Sequence, residues 1–148
     1  MQSGVTGQGV PRKALIVEDN DLNMMLFNDL LELCGYKTLK TGDGLEALRL
    51  AQLHRPDVIV MDIQLPGMSG LEITLRLKAD AELRDIPVVA ITALAMPGDK
   101  EMIRQAGCDD YLAKPFSIAD FMQVVERNSG PQCQARSATT TSTSVRVG

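Results

Sequence analysis

Short apolar runs and longer amphipathic stretches take turns along this chain of 148 residues. The runs fall at 14–17, 37–41, 58–61, 88–92 and 110–113. Two of them, VIVM and VVAIT, are nearly continuous and β-branched, the pattern of strands covered on both faces. The segments between them have helical spacing. Asn20 or Asp21 can cap the first, which carries Leu22, Met25, Leu26, Leu30 and Leu33 and stops at Gly35. Asp43 can start the second, GLEALRLAQLH, which ends before Pro56. SGLE, at 69–72, is a capping box that opens the third. A fourth spans about 98–106 and ends at Gly107. Ser117 caps a fifth that carries Ile118, Phe121, Met122 and Val125. Strands alternating with helices in this way predict an α/β fold: a doubly wound, five-stranded parallel sheet with five helices.

The flanks read differently. Residues 1–12 are Gly-rich and polar and predict a flexible lead-in. Residues 13–127 form the expected domain. Residues 128–148, NSGPQCQARSATTTSTSVRVG, are Ser/Thr-rich and poor in bulky apolar side chains. They bury too little surface to offset ordering entropy, which predicts a disordered tail.

Composition narrows the function. Trp is absent and aromatics are 3% of the chain, so the core is expected to be aliphatic. A formal net charge of -4 argues against holding nucleic acid by electrostatics. No apolar run is long enough to span a bilayer, and the N-terminus lacks the pattern of a signal peptide. Cytoplasm is the expected location, with no direct membrane insertion. Cys34, Cys108 and Cys133 are widely spaced and predict neither a disulfide framework nor a zinc site. Cys34 and Cys108 read as small buried residues.

Ligands of doubly wound sheets sit beyond the carboxyl ends of the strands, where strand order reverses. The residues there are Glu18 and Asp19 after the first strand, Asp62 after the third, Thr92 ending the fourth, and Lys114 with Pro115 after the fifth. Clustered carboxylates repel one another in a partly desolvated site, and a hard divalent cation relieves that repulsion. Mg²⁺ accepts one or two carboxylates, keeps several waters and leaves room for a phosphoryl oxygen. Asp19 and Asp62 are the expected direct ligands, with Glu18 acting through a water and the backbone carbonyl of Gln64 completing the set. Mn²⁺ or Ca²⁺ are expected substitutes. Asp62 can itself attack phosphorus to give an acyl phosphate. Lys114 would neutralise charge on the transferring group, and Thr92 would donate a hydrogen bond to it.

With Glu18-Asp19, Asp62 in VMDIQLPGMSG, Thr92 in ITA, and Lys114-Pro115 in YLAKPF, the chain resembles the receiver domains of two-component response regulators over roughly 13–127. The resemblance implies strand order 2-1-3-4-5 and a cis bond before Pro115. It implies phosphoryl transfer to Asp62 from a histidine kinase or a histidine phosphotransfer protein. It also implies a switch in which Thr92 moves inward and the aromatic Tyr111 turns with it. The segments LIVEDNDLNMMLFNDLL, MDIQLPGMSGLE, IPVVAITALAM and GCDDYLAKPFS are similar, more closely, to free-standing receivers of alphaproteobacterial cell-cycle control. Those act by allosteric contact with kinases and not on DNA, and a monomer or weak dimer is expected. Such a protein is not a turnover enzyme.

Other residues carry weaker signals. Leu94, two after Thr92, is apolar and would shield an acyl phosphate from water, unless it only packs on a loop. The first helix has more apolar residues than one face needs, so Met24 and Phe27 either face a partner or pack inward. His54, near a helix end, reads as a solvated residue. Two alternatives compete. An Asp-nucleophile phosphohydrolase would need a second Asp two residues after the first, where Gln64 stands. A receiver fragment of a larger regulator with an output domain fits the same residues.

Overall fold

The computed structural model describes residues 11–93, 98–129 and 146–147. In chain order the elements are β1 (Lys13–Val17), α1 (Asp21–Leu33), β2 (Lys37–Thr41), α2 (Gly44–His54), β3 (Val58–Asp62), α3 (Gly70–Ala79), β4 (Val88–Thr92), α4 (Asp99–Gln105), β5 (Asp110–Ala113), β6 (Phe116–Ser117), α5 (Ile118–Ser129) and β7 (Arg146–Val147). The first five strands form one sheet in the order β2-β1-β3-β4-β5, all parallel. Strand order therefore reverses at β1, between its neighbours β2 and β3.

Every residue of β3 and β4 is buried, as their continuous apolar sequence predicts. Alternate residues serve opposite layers. Ala14, Ile16, Val58, Val60, Val89 and Ile91 pack with α1 and α5. Leu15, Val17, Ile59, Met61 and Val88 pack with α2 and α3. The second layer is aliphatic as expected. In the first, all three phenylalanines of the chain meet: Phe27 stacks on Phe121 at 5.2 Å and on Phe116 at 6.2 Å between ring centroids. The three phenylalanines thus gather at one place instead of scattering.

The helix starts follow local chemistry. Asn20 caps α1 by accepting the Asn23 N–H at 2.9 Å. Asp43 caps α2 through the Leu45 N–H, and Ser69 caps α3 through the Glu72 N–H. Ser117 and Asp120 exchange backbone-to-side-chain bonds at 3.0 and 3.4 Å, a reciprocal cap on α5.

Three expectations need correction. The buried stripe of α1 is Phe27, Leu30 and Leu31, with Met24 and Leu26 half-covered, while Leu22 and Met25 are 74% and 58% exposed. Two stripes shared Leu26 and Leu30, and the one containing the aromatic ring won because it buries more apolar surface. Phe27 is therefore core, not a partner contact. Cys34 is buried as expected but disulfide-bonded, whereas Cys108, expected to be buried, is a half-buried free thiol. Finally, α5 continues through Ser129, past the boundary set at 127, and Arg146–Val147 pairs antiparallel with Phe116–Ser117 inside the tail expected to be disordered. The rest of that tail, the lead-in through residue 10, Leu94 and Cys133 lie outside the described residues.

Candidate functional site

The strand ends converge on one rim. Val17 pairs with Met61 across β1 and β3, so the next residues, Glu18 and Asp62, come level. The Glu18 N–H donates to the Thr41 carbonyl at 2.9 Å, extending β1 by one residue. On the far side Asp62 pairs with Ile91 and Thr92 with Ala113, and the Lys114 N–H donates to the Thr92 carbonyl at 2.8 Å. The Lys114–Pro115 peptide bond is cis.

Carboxylate oxygens of Glu18, Asp19 and Asp62 all lie within 4.8 Å of one another. Glu18 is 3% and Asp62 6% exposed, and Asp19 is open to solvent. Main-chain donors fix two of the three. The Asn20 N–H donates to Glu18 Oε2 at 3.1 Å, and the Gln64 N–H donates to Asp62 Oδ1 at 2.9 Å. Glu18 Oε1 is buried without a hydrogen-bond partner. Burial, followed by the neighbouring charge of Asp62, pushes the Glu18 carboxyl up to about 7, against the opposing pull of the Asn20 N–H and the Lys114 ammonium. A buried oxygen with nothing to bond, facing two more carboxylates, fits a hard divalent cation. The donor set is all oxygen, which suits Mg²⁺ and disfavours softer metals.

The remaining residues surround this cluster. Thr92 is 1% exposed at the end of β4. Lys114 is half-buried and close enough for its charge to act on Glu18. Gln64 is exposed, and its Oε1 accepts the Ala93 N–H at 3.4 Å, so its side chain spans from the β3 end to the β4 end. Tyr111 pairs with Ala90 in the β4–β5 register, and Thr92 lies two residues further along the same face. The tyrosine is half-buried against Ile63, Ala90 and Ile103. His54 closes α2, where its carbonyl accepts from Lys13 Nζ at 3.3 Å, apart from the rim.

Two glycines escaped the sequence reading. A Cβ on Gly70 would lie 2.4 Å from the Asp62 carbonyl oxygen and 2.8 Å from Ile63 Cα. One on Gly42 would lie 3.3 Å from Asp19 Cα and 3.3 Å from the Glu18 carbonyl oxygen. Both let backbone press against the acid-bearing strand ends. The signal for Gly70 was its place at the first position of a helix, where its poor helix propensity has no local reward.

Comparison with known proteins identifies the family and the fold. The response regulator receiver domain model matches residues 14–126. The polar-differentiation response regulator DivK of Brucella anthropi is 57% identical over 121 residues, which cover 82% of this chain and 98% of that relative. Its counterpart in Brucella ovis is 56% identical over 119 residues, covering 80% and 97%. Among solved structures, a receiver domain of a sensor histidine kinase from Pseudomonas aeruginosa, with a magnesium ion coordinated in its active-site cleft, superposes with a TM-score of 0.74 at 38% identity, over 80% of this chain and 98% of that one. The chemotaxis protein CheY4 of Vibrio cholerae superposes with a TM-score of 0.76 at 28% identity, over 80% and 99%. With the family match running from β1 into α5, and such relatives covering four-fifths of its length, the chain belongs to the response regulator receiver domain family.

Proposed function

We propose that the chain accepts a phosphoryl group on Asp62 from a histidine kinase or a histidine phosphotransfer protein. The observation that carries this reading is the cluster of Glu18, Asp19 and Asp62 within 4.8 Å, with a buried Glu18 oxygen left unpartnered. An Asp62 carboxylate oxygen attacks phosphorus in line. A P–O bond forms and the P–N bond to the donor histidine breaks, its electron pair staying on the imidazole. The Gln64 N–H steadies Asp62 Oδ1 and leaves Oδ2 as the nucleophile. Asp19, Asp62 and the Gln64 carbonyl would hold Mg²⁺ directly and Glu18 would hold it through a water. When bound, the ion neutralises charge on the transferring phosphoryl group. Lys114 and Thr92 supply an ammonium and a hydroxyl to the phosphoryl oxygens from the other side. The chain catalyses its own modification and does not turn over substrates.

Phosphorylation then shifts Thr92 and Tyr111 and changes which partners bind, so output is protein contact and not DNA binding. The likeness to polar-differentiation regulators supports a role in cell-cycle and polarity control. Incubation with acetyl phosphate, followed by intact-mass spectrometry, tests the reading. A gain of one phosphoryl mass that needs Mg²⁺ and is lost in Asp62→Asn is the expected result. Steady release of phosphate from varied monoesters would instead favour hydrolysis, against which the amide at Gln64 already speaks.

A further inference from the structure

Lys100 occupies a costly place. It stands in the first turn of α4, where a cation opposes the helix dipole, and Arg104 follows it at i+4 as a like charge. Its ammonium does meet a favourable neighbour: Nζ lies 5.6 Å from the centre of the Tyr111 ring. That distance is within cation–π range. Lys100 itself is exposed, so it reaches the ring only while the ring stays near the surface. The ring has somewhere else to go. Its lateral neighbour on the same face is Ala90, whose side chain is a single methyl group, and Thr92 lies two residues further along that face. A cavity of about 160 Å³, lined by Lys100, Arg104, Cys108, Asp109 and Asp110, lies beside the ring toward the start of β5 and leaves its packing loose there.

We infer that Lys100 is a positioning residue for the switch: its ammonium, seated on the Tyr111 ring, holds the ring at the surface and opposes its inward turn when Asp62 is phosphorylated. The inference rests on the function proposed above, in which Thr92 and Tyr111 move together. Linkage then requires that whatever stabilises the outer placement weakens binding of a phosphoryl group by the same factor.

Beryllofluoride in the presence of Mg²⁺ serves as the phosphoryl probe, with titration midpoints read from the amide resonances of Gln64 and Ala93. In Lys100→Met the midpoint should fall about two- to fivefold, the size of an exposed cation–π contact. Tyr111 ring resonances should shift toward their saturated values before any probe is added. Lys100→Arg keeps the cation and should match the parent. In a Tyr111→Leu background, Lys100→Met should change nothing. The sign is diagnostic, because deleting a positive charge near an anion site would otherwise weaken anion binding. An unchanged or raised midpoint in Lys100→Met, or the same gain without the tyrosine, overturns the inference while leaving the acceptor site standing. A parent chain that takes up no beryllofluoride at all overturns the acceptor site, and the inference with it.

Discussion

Asp62 shows how one side chain sets the terms for its neighbours. It sits 6% exposed beside Glu18 and Asp19, and its charge is part of what lifts the Glu18 carboxyl to about 7. Such crowding costs stability whenever no cation offsets it, on the order of 3–4 kcal/mol for unit charges 4–5 Å apart near a protein surface. Asp62→Asn removes the charge, yet its amide oxygen can still accept the Gln64 N–H. In EDTA the variant should melt several degrees above the parent. Added MgCl₂ should close or reverse that gap, because the cation binds the folded parent best. Equal melting temperatures in EDTA would show that the carboxylates do not strain one another. These acids were legible in the sequence because each stands at or just past the end of an apolar run, and in a parallel sheet all strand ends share one rim. Gly42 was not legible, since its role is set by backbone approach to Glu18 and Asp19, which lie far from it in the chain.

The elements were easy to read where sequence and burial agree on both faces. β3 and β4 are such cases, and the caps at Asn20, Asp43, Ser69 and Ser117 each bond the amide their position predicts. The facing of α1 was hard, because Leu and Met occur on almost every side of it and spacing alone allowed two stripes. Only the neighbouring rings on α5 and β6 decide between them. The junction of β5 with α5 also depends on distant residues. Asp110 Oδ2 accepts Arg127 Nε at 2.8 Å and Asn128 Nδ2 at 2.9 Å, and Oδ1 accepts the Tyr111 N–H at 2.9 Å. Burial works to raise its carboxyl, but these bonds from Asn128, Arg127 and Tyr111 prevail and hold it below its ordinary value of 3.8. A lowered folded-state value means the contribution is present above pH 3.8 and is lost as pH falls through the folded value. Urea denaturation of Asp110→Asn should therefore show lower stability than the parent at pH 6, and the two should converge on acidification below about pH 4. Parallel stability curves across that range would deny Asp110 this role.

At the scale of the whole molecule, function and support occupy different ends. The acids, Thr92 and Lys114 lie on the rim beyond the strands, while the Phe27, Phe116 and Phe121 stack fixes α1 to α5 underneath. The rim can thus change charge without disturbing the core that aligns it. No helix among the described residues is long and apolar enough to cross a membrane. The exposed Leu22 and Met25 on α1 remain as apolar surface beside the rim, on the helix that follows Glu18 and Asp19.

The lateral strand β2 has a consequence of another kind. It pairs with β1 on one side only within the five-stranded sheet, and Lys37 and Lys40 along it are exposed. Strands left open in this way template intermolecular stacking, and ammonium groups set along them make two such strands repel. Threonine at both positions should therefore turn a well-behaved solution into one that scatters light and binds thioflavin on storage, more steeply as salt rises. The lysines would then be guardians of solubility, bearing on how much of this chain a crowded cell can hold and not on what signal it carries.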